Sequence, residues 1–458
     1  MRLLTRDKSF YKTLVALSIP VILQGLITFS VTMADNLMVS SLGDVAVSGV
    51  YMGNQLQTLL QMLTGGIGGA ILILSAQYWG KNDTDSIRKI ISIGVHFSLI
   101  AGGVLTLAGL FFPVQILSLF TKDPAIIASG AVYLRIVCLS YTFFCLTQAL
   151  ISAMRSVEVT RIGMTVSLIS LVVNIGLNYV LIFGKLGFPA MGVAGAALAT
   201  VISRVTETAV MVIYVLLYDR KLCMKPGDFL KSSRLLRKDF IRYGIPLVAG
   251  QIVWSVNMMT NSAILGRLPD SSAVVTAASI ANTLNSLVYI AMTSLATALG
   301  IITGKTVGAG KTELMKEYSR TVQILFLALG FVNSLVIVLI RSPFISLYRD
   351  VSPEATAYAR QFINVLAVTI IGSSYQMPCL YGLVKSGGDI SFVFRNDTIF
   401  VFLVVLPSAI LAAWLGAPAW VVFACLKCDQ ILKCFVAVVK INRYNWMKNL
   451  TRDTAETA

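Results

Sequence analysis

The chain has 458 residues, of which 56% are hydrophobic and 13% are charged, and its mean hydropathy is +0.80. A soluble domain carries about 25% charged residues, so this composition excludes a cytosolic enzyme and an intrinsically disordered chain. The net charge of +16 does not indicate a nucleic-acid partner, because the Lys and Arg residues lie between apolar runs and not on one face of a soluble domain. We therefore expect a polytopic membrane protein.

The apolar runs predict twelve membrane spans. A bilayer-spanning helix needs about 20 apolar residues, and helices are expected because no water satisfies backbone polar groups in the hydrocarbon. The first run is too long for a signal peptide and is interpreted as a retained helix. The predicted spans are 14–39, 50–79, 90–112, 125–152, 160–184, 190–217, 241–266, 274–303, 319–341, 355–385, 393–415 and 418–440.

The distribution of basic residues predicts the orientation. Of the 37 Lys and Arg residues, 27 lie in the termini and the connections on one side of the predicted spans, and 5 lie in the connections on the other side. Basic residues concentrate on the cytoplasmic side of membrane proteins. Both termini are therefore expected in the cytoplasm, with membrane lipids around the spans.

An internal repeat divides the chain into two halves. The segment Leu17–Asn36 matches Tyr243–Ser262, and Pro20 pairs with Pro246, an offset of 226 residues. Six helices follow six helices with the same cytoplasmic start, which is the parallel-repeat plan of some secondary transporters. The predicted domains are an N-terminal six-helix lobe at 1–217, a basic cytoplasmic linker at 218–240, a C-terminal six-helix lobe at 241–441 and a cytoplasmic tail at 442–458.

Asp35 is the clearest ionisable residue inside a predicted span. A charge at this depth costs about 2.5–3.5 kcal/mol on insertion scales, so it requires a reason. Gln24, Thr28 and Thr32 precede Asp35 at helical spacing and share one face with it. A carboxylate in this setting can carry a proton, or bind a cation while it is charged. The alternative is an Asp that lies near enough to the interface to be solvated.

The fifth and sixth spans supply polar residues that can face Asp35. One face of the fifth span contains Ser167, Ser170, Asn174 and Asn178. Asn offers a carbonyl oxygen and an amide donor without a charge, so Asn174 and Asn178 can bond to protonated Asp35 or ligate a cation. Ordinary hydrogen bonds between helices are the alternative. Thr200 lies midway along the sixth span and can face the same pocket.

Other charges in the spans are interpreted as pairs. Arg204 and Glu207 are three residues apart on the sixth span, and Asp429 and Lys433 are four apart on the twelfth. A structural role is favoured for Arg204 with Glu207. The sequence leaves the roles of Asp429, Lys433 and the nearby Lys427 open.

The second half has neutral polar stripes, and the repeat places Asn261 where the first half has Asp35. Such stripes belong to a helical core more often than to a ligand site, but they are the candidates for a substrate cavity. The predicted cavity residues are Gln24, Thr28, Thr32, Gln55, Gln251, Asn257, Asn261, Asn282, Tyr289 and Gln376.

No motif for enzymatic chemistry is recognised. The segment Gly308–Thr312 reads GAGKT, but its glycine spacing is wrong for a phosphate-binding loop. The chain has one His, so neither a Ser/His/Asp triad nor a zinc site is expected. We predict no enzymatic activity, no metal site and no organic cofactor.

The sequence resembles the multidrug and toxic compound extrusion (MATE) family of bacterial type. The resemblance covers nearly the whole chain and is most specific at NIGLNYVLIFGKLGFPAMGVAGAALATVIS (Asn174–Ser203) and at MADNLMVSSLG within Ile19–Gly43. It implies an all-α polytopic membrane protein with twelve transmembrane helices in two pseudo-symmetric six-helix lobes around a central cavity.

The resemblance also implies a site and a function. The cation-coupling site would consist of Asp35, Asn174, Asn178 and Thr200, although one branch of the family has Asp where Asn178 stands. A sodium site in the second lobe, as in another branch, is not expected, because this chain has Trp254 there on the seventh helix. The implied function is antiport by a monomer, which exports amphipathic, often cationic, organic compounds in exchange for H⁺ or Na⁺. The alternative is a flippase for lipid-linked or polysaccharide precursors, which would favour a more cationic cavity.

Overall fold

The computed structural model describes residues 4–348 and 351–452, and within them the chain is all-α and has no strand. Twelve helices follow one another, as predicted, with a short helix at Pro113–Ser118 and a 3₁₀ turn at Pro226–Leu230 between them. They are α1 (Lys8–Ser40), α2 (Asp44–Gly80), α3 (Thr84–Phe111), α4 (Pro124–Ser156), α5 (Arg161–Phe183), α6 (Gly192–Tyr218), α7 (Arg234–Leu265), α8 (Ser271–Gly308), α9 (Thr312–Ile345), α10 (Pro353–Lys385), α11 (Ile390–Trp414) and α12, which consists of Ala419–Lys427 and Asp429–Asn442.

Ten helices of the described residues, all except α7 and α12, are long and apolar enough to cross a bilayer. This number of apolar helices makes the chain a multi-pass membrane protein. Several helices are longer than the predicted spans, since α1 begins at Lys8 and α2 at Asp44. The added turns contain Lys8 and Lys12 in α1 and Asp44 in α2, and they continue each helix past the stretch from which the span was predicted.

The chain forms two compact units. Of the described residues, the N-unit contains Ile19–Val248 and Arg452, and the C-unit contains 4–18 and the part of Ala249–Thr451 outside 349–350. The boundary between the two units falls inside α1 and inside α7. In each helix it lies within three residues of a proline, Pro20 in α1 and Pro246 in α7. Proline removes one backbone hydrogen bond and bends a helix, so these are the places where α1 and α7 can change direction.

The domain boundaries predicted from the repeat stay a prediction. Arg2 and Arg349, which contribute to the charge asymmetry, and the tail residues 453–458 lie outside the described residues.

Small and aromatic residues fix the helix pairs that carry the polar sites. A Cβ atom on Gly195 of α6 would lie 2.6 Å from the backbone oxygen of Leu181 on α5, so only glycine permits this approach. In the C-unit, Phe362 of α10 stacks on Phe423 of α12 with ring centroids 4.3 Å apart. These contacts determine which faces of α5, α6, α10 and α12 point into their units.

The segment after α12 is anchored in the C-unit. Trp446 is 0% exposed, its ring lies against Gly387, and its indole nitrogen donates to the backbone oxygen of Ile441 at 3.1 Å. The carboxylate of Asp389, in the turn between α10 and α11, pairs with Lys440 at 2.6 Å and with Lys448 at 2.8 Å. The tail therefore forms part of the packed C-unit.

Replacing Trp446 by Ala should destabilise the C-unit by about 3–5 kcal/mol, because a large buried side chain is lost and a cavity remains. Thermal unfolding of the purified protein in detergent measures this effect. Trp414→Ala is the matched control, since Trp414 is 80% exposed in the same unit. Equal unfolding temperatures for the two variants would contradict the proposed anchoring.

Asp389 should make the tail anchor sensitive to acid. Burial raises the pKa of Asp389, but hydrogen bonds from Lys440 and Lys448 outweigh burial, so its pKa lies below the ordinary value. A carboxyl group with a lowered pKa stabilises the folded state above its unfolded pKa, and this contribution is lost as the pH falls through the folded pKa. Asp389→Asn should therefore unfold at a lower temperature than the parent at neutral pH, and the difference should shrink as the medium is acidified. A difference that does not change with pH would refute this assignment.

Candidate functional site

A hydrogen-bonded chain links α1 to α5 inside the N-unit. The amide nitrogen Nδ2 of Asn178 donates to Oδ1 of Asp35 at 2.5 Å and to Oδ1 of Asn174 at 3.2 Å. Asn174 and Asn178 are both buried, and Asp35 is half-buried. The two Asn residues lie four apart on α5, which places both amides on one side of that helix. The structure thus brings together three of the four residues that were predicted to form the coupling site.

The amide oxygen of Asn178 is buried and has no hydrogen-bond partner among the described residues. A buried acceptor without a partner is costly, by about 1–3 kcal/mol. It lies on the same amide group that donates to Asp35. The site therefore contains a carboxylate, the bonded amide oxygen of Asn174 and one unused carbonyl oxygen. Oxygen ligands of this kind suit a hard cation, and the unused oxygen can also accept a hydrogen bond from the hydroxyl group of a neutral carboxylic acid.

Thr200 does not join this chain. Its hydroxyl donates to the backbone oxygen of Ala196 on its own helix at 3.0 Å. Thr28 and Thr32 on α1 are exposed and bond in the same way to their own helix. Hydroxyl groups in apolar surroundings often take a backbone partner one turn earlier. The sequence pattern shows which face they occupy but not whether a ligand competes for the hydroxyl.

Gln24 is 6% exposed, and its side-chain oxygen accepts from the Nη2 atom of Arg155 at 2.6 Å. Arg155 lies at the end of α4, 131 residues away along the chain. A Cβ atom on Gly163 of α5 would lie 2.6 Å from the same oxygen, so this glycine makes room for Gln24. The polar face of α1 therefore begins at Gln24, which is bonded to the guanidinium of Arg155, and ends at Asp35.

An ion pair on α6 lies close to the Asp35 site. The Nη1 atom of Arg204 lies 2.7 Å from Oε2 of Glu207, which confirms the predicted pairing. Glu207 is buried and also accepts from the hydroxyl of Ser170 on α5 at 3.4 Å. The guanidinium of Arg204 lies 4.8 Å from the ring centroid of Phe144 and is within electrostatic reach of Asp35. The pair supplies a buried charge balance on the helix next to the carboxylate.

The remaining predicted cavity residues do not form a single contact network. Gln55 is half-buried on α2, and Gln251, Asn257, Asn261 and Asn282 are half-buried on α7 and α8 of the C-unit. Tyr289 is 37% exposed. Gln376 is buried, and its amide nitrogen donates to Oε1 of Gln430 on α12 at 3.2 Å. Their role as a substrate surface stays a prediction.

The main charged cluster of the C-unit was not predicted from the sequence. Lys433 of α12 lies 2.9 Å from Oδ1 of Asp397 on α11 and 3.1 Å from Oδ2 of Asp429. The Asp429–Lys433 pair was predicted and is confirmed, but Asp397 was not considered. Its signal was present in the sequence, because Asp397 is an acidic residue inside a predicted span and such a residue requires a partner.

Comparison with known proteins decides the family. The family model described as MatE matches residues 20–180 and 246–415, one segment in each half of the chain. The chain belongs to the MatE family. The predicted resemblance and the twelve-helix, two-lobe fold class are confirmed.

Curated MatE relatives match over most of their length. "Probable multidrug resistance protein NorM" of Bacillus anthracis is 24% identical over 418 residues, which are 90% of this chain and 91% of that protein. "Multidrug resistance protein MdtK" of Edwardsiella ictaluri is 25% identical over 411 residues, which are 88% of this chain and 87% of that protein.

Solved structures show the same MatE fold. A mutant of the Vibrio cholerae MATE transporter VcmN superposes with a TM-score of 0.87 at 16% identity, over 96% of this chain and 98% of that one. A MATE protein in complex with MaL6 superposes with a TM-score of 0.85 at 19% identity, over 94% and 96%. At these identities the likeness is one of fold.

Replacing Arg204 should destabilise the N-unit, because Glu207 loses the cation that pairs with it. Arg204→Met leaves a buried carboxylate without its cation and should destabilise the N-unit by about 3–5 kcal/mol. The double variant Arg204→Met, Glu207→Gln should recover most of this loss, because no unpaired charge remains. Thermal unfolding of the three proteins tests this expectation. A double variant as unstable as Arg204→Met would show that the loss comes from packing and not from the charge.

Proposed function

We propose that this MatE protein is a secondary active antiporter of the bacterial cytoplasmic membrane. It exports amphipathic, often cationic, organic compounds in exchange for H⁺ or Na⁺, and both termini lie in the cytoplasm. The names of its curated relatives, which are multidrug resistance proteins, support the substrate class. The protein works without an organic cofactor and as a monomer, since each half supplies one lobe of the transporter.

The observation that carries the proposal is the pairing of Asp35 with the amide of Asn178. Here a carboxylate of a membrane-spanning helix has a neutral partner, at 2.5 Å. A neutral partner permits a change of charge, because a proton or cation that joins Asp35 displaces no fixed ammonium or guanidinium. The unused amide oxygen of Asn178 supplies the additional acceptor that either ion needs.

The amide of Asn178 can serve both states of Asp35. When Asp35 is charged, it accepts a hydrogen bond from Nδ2, as in this structure. When Asp35 carries a proton, rotation of the amide presents Oδ1 as an acceptor to the new hydroxyl group. When Asp35 binds a sodium ion instead, the amide oxygens of Asn178 and Asn174 join the carboxylate as ligands.

Ion binding at Asp35 can drive transport only if it changes the relative stability of two conformations. Asp35 lies on the same helix as Pro20, where α1 divides between the two units. Neutralising Asp35 lowers the cost of burying this part of α1 and so favours a different packing of the helix. In the proposed cycle that packing has a lower affinity for the substrate, which leaves outward before the ion is carried inward.

Replacing Asp35 by Asn should abolish coupled export and leave the protein folded, because the amide is close to the shape of the carboxyl group. Proteoliposomes loaded with ethidium and given separate proton and sodium gradients measure the coupling. Asp44→Asn is the matched control, since Asp44 is an exposed carboxylate of the same unit. Its export should equal that of the parent.

The gradient that drives export identifies the ion. Export driven by the proton gradient alone, and lost in Asp35→Asn, supports proton antiport through Asp35. Export driven only by sodium makes Asp35 and Asn174 part of a sodium site. Normal export by Asp35→Asn would refute the proposal, and no export of ethidium under either gradient would favour a flippase for lipid-linked precursors.

A further inference from the structure

The C-unit holds a buried ammonium group between two carboxylates. The Nζ atom of Lys433 lies 2.9 Å from Asp397 and 3.1 Å from Asp429, and the Lys433 side chain is 6% exposed. The ring of Phe400 covers it from one side, at 5.7 Å from the centroid. Two carboxylates and one ammonium leave this cluster with one excess negative charge. The transport mechanism proposed above does not use it.

Each carboxylate is also held by a neutral donor. The hydroxyl of Tyr381 donates to Oδ2 of Asp397 at 2.6 Å, which leaves Oδ1 for Lys433. The amide of Gln430 approaches both oxygens of Asp429, Oδ1 at 3.3 Å and Oδ2 at 3.5 Å, and Lys433 pairs with Oδ2. Both carboxyl groups therefore keep a neutral positioning partner when the ammonium is absent.

One of these donors, Gln430, is itself fixed by a second set of contacts. Oε1 of Gln430 accepts from the hydroxyl of Ser373 at 2.8 Å and from the amide of Gln376 at 3.2 Å. Ser373 and Gln376 are both buried on α10. This bracing from a third helix makes the arrangement a preorganised site for a positive charge, since its ligand oxygens do not depend on Lys433 for their placement.

Further basic residues surround the cluster. The ammonium of Lys385 lies 5.2 Å from the ring centroid of Tyr381 and is within electrostatic reach of Asp397. The ammonium of Lys427 lies 5.7 Å from the ring centroid of Phe423 and is within reach of Asp429. A free cation that approached the occupied site would meet three ammonium groups against two carboxylates, which is repulsive overall.

The N-unit has the opposite arrangement. On α6 of the N-unit the more deeply buried member of the ion pair is an anion, Glu207, and the other carboxylate, Asp35, is held by a neutral amide. On α12 of the C-unit the buried member is a cation, Lys433, which pairs with both of its nearby carboxylates.

We propose that Asp397 and Asp429 form a site for a monovalent cation, and that Lys433 is a tethered ammonium that keeps it permanently filled. An alkylammonium is a compact point charge with three donors, close in size to potassium or rubidium. The site therefore excludes inorganic cations as long as Lys433 is present. If the proposed antiport function holds, its coupling ion has a binding site in the N-unit alone.

Replacing Lys433 by Ala should allow an inorganic cation to bind between Asp397 and Asp429. The experiment uses the full chain purified in detergent with Asp35→Asn as the background, so that the N-unit site does not contribute. Radioactive rubidium is the probe, at fixed pH. The background protein should show no saturable binding, and Lys433→Ala in that background should bind about one rubidium per chain. Adding Asp397→Asn to Lys433→Ala should abolish the binding.

Methylammonium gives a second readout, because it supplies the ammonium group and one of the carbons that the substitution removes. It should raise the unfolding temperature of Lys433→Ala and leave that of the background protein unchanged. If Lys433→Ala is recovered in low yield, methylammonium during expression and purification should restore the yield. Lys433→Gln, which retains a donor and has no charge, should bind rubidium more weakly than Lys433→Ala.

Two outcomes would overturn the proposal. Saturable rubidium binding to the background protein that is lost with Asp397→Asn would show that Lys433 does not close the site. A folded Lys433→Ala that binds no rubidium and does not respond to methylammonium, or a poorly recovered one that methylammonium does not rescue, would show that the carboxylates form no cation site. Neither result depends on transport, so both are distinguishable from a failure of the antiport proposal.

Discussion

A charged side chain in the hydrocarbon of a bilayer has no water, so its partner must come from the protein itself. The polar interior of both units follows from this constraint. Glu207 is buried beside Arg204, and Lys433 is buried between two aspartates. Even the neutral amide of Gln24 is bonded to a buried guanidinium. The helices that carry these groups are held in register by the contacts that the charges require.

Much of this arrangement could be predicted, because helical periodicity is a local property of the sequence. The spacing of Gln24, Thr28 and Asp35 identifies a polar face of α1 without any knowledge of its neighbours. The pairing of Arg204 with Glu207 is equally local, since the two residues are one turn apart. The repeat divides the chain into two halves because duplicated segments keep their proline and their polar positions.

The partners that come from other helices could not be predicted in the same way. Arg155 meets Gln24 across 131 residues, and no spacing rule in the sequence links the two. Asp397 meets Lys433 because α11 and α12 pack with a particular rotation, which depends on the whole core of the C-unit. The presence of Asp397 in a span was visible, but its partner follows only from the fold. For the same reason the sequence shows that Thr200 can face a pocket, whereas the structure shows its hydroxyl bonded to its own helix.

The two halves descend from one pattern and differ in how their carboxylates are neutralised. A carboxylate that is paired with a fixed ammonium cannot exchange its cation, because the chain holds the ammonium in place. A carboxylate that is paired with an amide can, since the amide offers a donor to the charged form and an acceptor to the neutral form. Asp35 is of the second kind and Asp397 is of the first. If the protein is the proposed antiporter, this difference assigns ion exchange to the N-unit and gives the C-unit a charge balance that does not change during the cycle.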